Sequence, residues 1–228
     1  MNPDSITGLL FDMDGTLVNT ENETGRAVAE VLAQAGLPAI ELHASQTAGK
    51  TWQSICEALV QRCPQVADIA ELEDKLVQAW LGFVRGSCGP IPGAPAFLQQ
   101  ALQRFPVAIV SSSPRFVMEE LLAAIGVREA SERMIGAEDV ANSKPHPEAF
   151  LKGAALLGCA PEQCLVFEDS TAGLKSAKAA GCGRLAILYA SYEPEACCQL
   201  AEASTSDYLA LAPDFLQQLQ RHGRSAYR

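Results

Sequence analysis

The chain has 228 residues, of which 48% are hydrophobic and 19% are charged, and its formal net charge at pH 7 is −10. This length accommodates one large domain or one domain with a smaller insertion, and the composition supports a sizeable core and excludes extended disorder. An acidic chain without a basic stripe is not expected to bind nucleic acid. No apolar run approaches the roughly 20 residues of a membrane span, and no apolar export signal is recognisable, so the protein is expected to be cytoplasmic.

The first predicted element is a buried strand over residues 6–11, which ends in the sequence Asp12-Met13-Asp14-Gly15-Thr16. A short apolar run closed by Asp and Gly is typical of a parallel strand followed by a turn. Open α/β sheets bind ligands at this carboxyl edge. Two close carboxylates repel each other, and a Mg²⁺ ion, which takes oxygen ligands, would resolve that conflict. Taken alone, the pair is explained better by an ordinary Asx turn.

After this strand the sequence predicts only helices as far as residue 88. A capping box formed by Thr20 and Glu23 predicts a helix over about 21–35 that stops at Gly36, and helical patterns follow over 51–60 and about 67–84. We therefore predict a small all-helical domain over residues 20–89, inserted between residues 1–19 and 90–228 of an α/β core. A linker rich in Pro and Gly, residues 89–95, leads back to that core.

From residue 94 onward, helical and strand patterns alternate. Strands are predicted at 107–110, 164–167 and 184–188, with a weaker one at 133–136, and helices at about 94–104, 114–125, 147–157, 172–180, 194–201 and 213–221. Such alternation predicts the α/β class with a doubly wound parallel sheet.

Polar residues mark the ends of several of these elements: Asp12 and Asp14, Ser111, Lys144, and the pair Glu168-Asp169. Each signal has an ordinary explanation on its own, as a turn serine, a solvated loop lysine or the capping acids of a helix. Because parallel strands end at one edge of a sheet, we expect all of them to converge. Convergent acids, a hydroxyl and an ammonium suit phosphoryl transfer, since they supply a metal site, a nucleophile and a charge clamp.

The order Asp12-Met13-Asp14-Gly15-Thr16, Ser111, Lys144-Pro145, Phe167-Glu168-Asp169-Ser170 resembles the haloacid dehalogenase superfamily, in the phosphatase and β-phosphoglucomutase-like branch with a helical cap after the first motif. The resemblance spans residues 6–188. It implies a Rossmann-like core and a cap that closes over the site on hinges at 17–19 and 89–93. It also implies a Mg²⁺-dependent phosphomonoester hydrolase for a small phosphorylated metabolite, such as a sugar phosphate.

The resemblance assigns the reaction to the acidic residues. Asp12 would be the nucleophile that forms an aspartyl-phosphate, and Asp14 would be the acid for the leaving alcohol and then the base for water. Mg²⁺ would be held by Asp12, the backbone carbonyl of Asp14 and Asp169, with Glu168 among or beside the ligands. A carboxylate can attack a phosphate dianion only where nearby positive charge offsets their repulsion.

Further residues are implied to bind the substrate. Ser111 and Ser112 would hold phosphate oxygens, and Lys144 would clamp the phosphate and the nucleophile. Lys50 lies where the caps of this family place a substrate-facing loop, although a solvated lysine before a helix is an equal alternative. Arg115 either touches the rest of the substrate or is a solvated arginine in the first turn of a helix.

Other activities are weighed against the same residues. A haloacid dehalogenase needs neither Asp14 nor a metal, and Asp14 also disfavours a phosphonate hydrolase. A sugar-phosphate mutase of the β-phosphoglucomutase type remains the alternative, but such mutases carry His and Arg where this chain has Thr24 and Trp52. A non-catalytic module that binds phosphorylated ligands is the alternative of another class, in which at least one of the acids or Lys144 would be expected to be lost.

Two departures from the family pattern leave the chemistry intact. Asn19 stands where the family often has Asp, and Ser143 stands where it often has Gly before Lys144-Pro145. Neither change removes a catalytic group, so they affect only the expected hinge and the substrate preference. The partner is expected to be a small phosphorylated molecule, with no nucleic acid and no membrane, and the protein is expected to be a monomer.

Overall fold

The computed structural model describes residues 5–20, 23–40, 42, 47, 49–69 and 71–227, except for the side chains of residues 86 and 87. Within them, one sheet has the strand order β3-β2-β1-β4-β5-β6, and every neighbouring pair is parallel. The predicted doubly wound sheet is thereby confirmed. The strands are β1 (Gly8–Phe11), β2 (Val107–Val110), β3 (Met134–Ile135), β4 (Cys164–Glu168), β5 (Gly183–Ile187) and β6 (Ala203–Thr205).

Helices precede and follow these strands along the chain. The α-helices are α1 (Glu23–Gln34), α2 (Trp52–Arg62), α3 (Leu72–Ser87), α4 (Ala94–Leu102), α5 (Arg115–Ala124), α6 (Glu148–Leu156), α7 (Thr171–Ala180), α8 (Pro194–Leu200) and α9 (Phe215–His222). Short 3₁₀ helices cover Pro64–Asp68, Arg128–Glu132, Ala137–Asp139, Pro161–Gln163 and Gly223–Ala226. None of the described helices has the length and apolar character that crossing a membrane requires.

The central strands are buried on both faces, which explains their continuous apolar sequence. Leu9 and Phe11 of β1 belong to the larger apolar cluster on one face of the sheet, whereas Leu10 belongs to the cluster on the other face. This alternation is the period of two that strands impose on side chains. Phe11 stacks on Phe167 of the neighbouring strand, with ring centroids 4.4 Å apart, so the two strands that carry the acidic motifs are packed tightly in register.

The helices α1, α2 and α3 lie between the two chain segments that join them to the sheet. Asn19 donates its N–H to the carbonyl of Gly89 at 2.9 Å, and Ile91 donates to the carbonyl of Leu17 at 2.9 Å. These bonds hold the outgoing and returning segments side by side. Helix α1 packs mainly against α3, and apolar residues of all three helices join the larger cluster.

Three details differ from the sequence-based expectations. The predicted helix over 67–84 is a 3₁₀ turn followed by α3, and β6 was not predicted because a three-residue Ala-Ser-Thr strand has no apolar run to reveal it. The capping box is also wrong, because the Glu23 N–H bonds the Thr20 carbonyl and the Thr20 hydroxyl donates to Asp14 instead. Residues 21 and 22, part of the first predicted helix, lie outside the described residues.

Candidate active site

The sheet brings the predicted polar residues to one edge. Asp12 follows β1, Ser111 follows β2 and Asp169 follows β4, and β1 lies between the other two strands. All three side chains are buried. Because the strands are parallel and in register, the convergence expected from the sequence is a direct consequence of the strand order.

Lys144 is the cation at the centre of this edge and is only 1% exposed. Its ammonium donates to Asp12 Oδ1 at 2.6 Å, to Glu168 Oε1 at 2.8 Å and to the Val110 carbonyl at 3.2 Å. Burial on its own would lower the pKa of Lys144, but the two carboxylates outweigh it and raise that pKa above its ordinary value. Lys144 therefore remains charged and ties the first motif to the last.

Three buried carboxylates face this one ammonium. Ligand oxygens of Asp12, Glu168 and Asp169 all lie within 4.8 Å of one another. Burial, together with the neighbouring carboxylates, raises the pKa of Asp12 well above its usual value despite the opposing effect of Lys144. The cluster thus carries more acidic groups than its single cation can neutralise, which fits a divalent ion with oxygen ligands.

The remaining hydrogen bonds differ from one of these carboxylates to the next. Both oxygens of Glu168 are engaged, one by Lys144 and the other by the N–H and hydroxyl of Ser170 at 2.7 and 2.9 Å. Thr16 donates its hydroxyl to Asp169 Oδ1 at 2.9 Å. Asp12 accepts its bond from Lys144 through Oδ1, and no described residue donates to Oδ2. That second oxygen of Asp12 is thus available to a ligand.

Asp14 lies in a different environment from the three clustered acids. Its Oδ1 accepts from the Thr20 hydroxyl at 3.0 Å, and its Oδ2 accepts from the hydroxyls of Ser111 at 3.1 Å and Ser113 at 2.9 Å. Burial raises the pKa of Asp14, although these hydroxyls partly oppose it. A carboxyl held by hydroxyl groups and with a raised pKa is suited to give and take a proton.

The helical segment covers this edge and encloses a cavity. Asp12, Asp14, Ser112 and Ser113 line its floor, and Lys50, Trp52 and Trp80 are among the residues that line it from the helices. The Lys50 ammonium donates to the Lys144 carbonyl at 3.3 Å, and Ser112 donates its hydroxyl to the Gly49 carbonyl at 2.9 Å.

Gly49 allows the loop before α2 to approach the sheet edge closely. It has a positive φ of 69°, and a Cβ atom at this position would lie 2.8 Å from the Ser170 hydroxyl. A side chain is therefore disfavoured both by backbone conformation and by space. The close approach places Lys50 beside the Lys144 loop.

Of the five predicted substrate residues, Ser112 and Lys50 line this cavity, whereas Ser111, Lys144 and Arg115 do not. The Arg115 guanidinium donates to the Met134 carbonyl at 2.9 Å and pairs with Asp139 at 2.9 Å, and Arg115 does not line the cavity. The Arg115 side chain thus holds the loop after β3, and its contact with the substrate stays a prediction. Only the tertiary structure supplies these partners.

Several contributing residues were missed in the sequence. Thr20 was interpreted as part of a capping box and Ser113 was not predicted as a site residue, yet both hydroxyls donate to Asp14. Thr16 and Ser170 were noted only as members of the sequence motifs, although their hydroxyls bind Asp169 and Glu168 respectively. The available signal was their position directly beside the acidic motifs.

Comparison with known proteins places this geometry in a family. The family model described as haloacid dehalogenase-like hydrolase matches residues 6–181. Fructose-1-phosphate phosphatase YqaB of Escherichia coli (strain K12) is 33% identical over 175 residues, which are 76% of this chain and 92% of that protein. Hexitol phosphatase A of the same strain is 35% identical over 181 residues, which are 79% of this chain and 82% of that protein.

A solved structure agrees with the fold. The crystal structure of β-phosphoglucomutase (pgmB) from Clostridium difficile matches with a TM-score of 0.78 at 18% identity, over 95% of this chain and 97% of that chain. At this identity the likeness establishes the shared fold alone.

Proposed function

Because the chain belongs to the haloacid dehalogenase-like hydrolase family, we infer that it is a phosphatase that releases phosphate from a small phosphorylated metabolite, such as a sugar phosphate, through an aspartyl-phosphate on Asp12. The observation that carries this proposal is the placement of Asp12. One of its oxygens is bound by Lys144, and the other faces no donor among the described residues. Its relatives named as phosphatases of fructose 1-phosphate and hexitol phosphates support the substrate class.

In the first chemical step, Oδ2 of Asp12 forms a bond to phosphorus and the bond from phosphorus to the leaving oxygen breaks. Asp14 gives its proton to that oxygen, so the alcohol leaves neutral. In the second step, Asp14 takes a proton from water as the water oxygen attacks phosphorus. The bond between phosphorus and Asp12 then breaks, and inorganic phosphate is released with the Asp12 carboxylate restored.

The remaining polar groups position these atoms. Lys144 would hold Asp12 and the phosphate together, while Ser111 and Ser112 would bind phosphate oxygens once the hydroxyl of Ser111 has left Asp14. Mg²⁺ would be held by Asp12, Asp169 and the carbonyl of Asp14, with Glu168 beside it, and would offset the repulsion between the nucleophile and the phosphate. The donor set, buried oxygen ligands in excess of cations, supports this assignment.

We also propose that the chain is divided into a core of residues 1–19 and 90–228 and a cap of residues 20–89. The paired backbone segments at Leu17, Asn19, Gly89 and Ile91 would be the hinge. Closure of the cap would exclude water from the reacting groups. The bonds from Lys50 and Ser112 across the two parts support a closed arrangement.

The mutase alternative receives less support from the cavity. Thr24 and Trp52 line it where mutases carry ionisable cap residues. Release of inorganic phosphate in step with loss of substrate would identify a hydrolase, whereas a phosphorylated isomer as the product would identify a mutase.

Metal dependence tests the proposed activity directly. We expect hydrolysis of p-nitrophenyl phosphate to require Mg²⁺ and to stop in EDTA. Asp169→Ala should raise the Mg²⁺ concentration needed for half-maximal activity or abolish activity. Because it also removes one of the mutually repelling carboxylates, the metal-free variant should unfold at a slightly higher urea concentration than the wild type.

The matched control is Asp68→Ala, since Asp68 is an exposed carboxylate in the helical segment. This change should leave the Mg²⁺ dependence as in the wild type. Activity that survives EDTA would contradict the site as a whole, and an unchanged Mg²⁺ requirement in Asp169→Ala would remove Asp169 from the metal ligands.

Lys50 is proposed to contact the part of the substrate that leaves. Its ammonium lines the cavity and donates to one carbonyl, so it has further N–H donors for a ligand. A charge-assisted hydrogen bond contributes roughly 1.5–3 kcal/mol, so Lys50→Ala should lower kcat/KM about ten-fold to a hundred-fold for the best substrate in a panel of phosphorylated metabolites. A ground-state contact would appear mainly in KM.

The loss in Lys50→Ala should be smaller for p-nitrophenyl phosphate, which offers the cap little to hold. Lys75→Ala is the control, because Lys75 is exposed on α3. If both substrates are hydrolysed by Lys50→Ala as by the wild type, Lys50 is a solvated residue. An equal loss on both substrates would mean that Lys50 only anchors its loop to Lys144.

A further inference from the structure

Two tryptophans of the helical segment contribute to the lining of the cavity. Trp52 and Trp80 both line the cavity, together with Ile55 and Thr24. The two rings meet edge to face, with centroids 5.8 Å apart and planes inclined by 72°. The lining that the helical segment contributes is therefore partly aromatic and apolar.

Charge is scarce on this side of the cavity. Among the lining residues within the described part of the helical segment, Lys50 is the cation and no residue is acidic. The Lys50 ammonium already donates to the carbonyl of Lys144. A leaving group with its own carboxylate or second phosphate would thus have Lys50 as its one cation in the described part of this lining, whereas a neutral leaving group would match the apolar residues there.

Trp80 has one polar atom that the protein leaves unsatisfied. Its Nε1 is buried and has no hydrogen-bond partner among the described residues, and the whole residue is only 2% exposed. An indole N–H can only donate, and a buried donor without an acceptor is costly. Because Trp80 also lines the cavity, a ligand bound there can bring an acceptor to this residue.

We propose that Trp80 determines substrate specificity by donating its indole N–H to a hydroxyl oxygen of a neutral sugar or sugar-alcohol leaving group. The C–H faces of that group would lie against Trp52 and Trp80, whose rings supply the apolar contact that such faces prefer. This inference rests on the proposed phosphatase function and specifies the leaving group of that reaction.

The test begins with the substrate class. Wild-type protein is assayed with Mg²⁺ against p-nitrophenyl phosphate, a set of sugar and sugar-alcohol monophosphates, and phosphoglycolate, whose leaving group carries a carboxylate. We expect the best neutral sugar or sugar-alcohol phosphate to exceed phosphoglycolate in kcat/KM by at least about ten-fold. A preference for phosphoglycolate would overturn the proposed substrate class.

The variant Trp80→Phe then tests the residue, because it keeps an aromatic ring and removes the N–H. A neutral hydrogen bond corresponds to about a three- to ten-fold change in kcat/KM. We expect the ratio of kcat/KM for the best sugar phosphate to kcat/KM for p-nitrophenyl phosphate to fall by that factor. Phe83→Leu, a change on the same helix outside the cavity lining, should leave the ratio as in the wild type.

Monodeoxy analogues of the best substrate identify the acceptor. Removal of the hydroxyl that accepts from Trp80 should lower kcat/KM in the wild type and have little further effect in Trp80→Phe. If no analogue shows this coupling, or if Trp80→Phe loses activity equally on both substrates, Trp80 is a structural residue and the inference is overturned. Those results leave the phosphatase function standing, whereas a wild type that hydrolyses neither substrate refutes the function itself.

Discussion

Asp12→Asn is expected to lower the turnover of any phosphomonoester at least about a thousand-fold while the protein remains folded. An amide oxygen is a poor nucleophile and a weak metal ligand. The fold should survive because Lys144 keeps Glu168 as its partner at 2.8 Å, and because one of three crowded acids is replaced by a neutral group. Steady-state release of phosphate and the urea midpoint of the same preparation measure both expectations.

The covalent step gives a second readout for Asp12. Acid quenching during turnover should trap phosphate on the wild-type chain and none on Asp12→Asn. Asp214→Asn is the matched control, since Asp214 is an exposed carboxylate at the start of α9, and it should turn over as the wild type does. Turnover near the wild-type rate in Asp12→Asn would exclude Asp12 as the nucleophile.

Lys144→Met should have the largest combined effect on stability and activity. The change leaves Asp12 and Glu168 buried without the ammonium that both now bind. Breaking a buried ion pair from one side costs about 3–5 kcal/mol of unfolding free energy. Loss of a preorganised cation beside the reacting phosphate should also reduce kcat at least about a hundred-fold. Urea unfolding in EDTA and phosphate release in Mg²⁺ measure the two effects separately.

Two further variants serve as controls for Lys144→Met. Lys152→Met removes an exposed lysine paired with Glu148 one helical turn away and should change the unfolding free energy by no more than about 0.5 kcal/mol. The double variant Lys144→Met/Glu168→Gln should be more stable than Lys144→Met, because one unpaired buried charge is gone. If Lys144→Met costs no more than Lys152→Met, the buried pairs do not stabilise the fold.

The sequence was sufficient for the architecture of the sheet because burial on both faces produces long apolar runs. Strands β1, β2, β4 and β5 were predicted on that basis, and the polar residues that follow β1, β2 and β4 were predicted to converge at one edge of the sheet. Short or half-buried elements lack such a pattern. The three-residue strand β6 was missed for that reason. The predicted helix over 67–84 likewise merged the end of a 3₁₀ helix with α3.

Hydrogen bonds made by hydroxyl groups were beyond the reach of local patterns. Thr20 fitted a capping box by spacing, but its hydroxyl and that of Ser113 donate to Asp14. In the same way the sequence left Arg115 as either a substrate contact or a solvated arginine, and its bonds to Met134 and Asp139 were not foreseen. Local spacing identifies a group that can form a bond, and only the packed chain decides which partner is within reach.

The sequence by itself identified the polar groups of the proposed site, because the acids and Ser111 stand at the ends of apolar strands and parallel strands end at one edge. The tertiary structure alone decided the environment of those groups. It placed Lys144 between residues 132 and 24 positions away in the chain and separated Asp14 from the other acids. It also left the buried N–H of Trp80 without an acceptor among the described residues. Contacts between distant residues depend on how helices and strands pack, which periodicity does not encode.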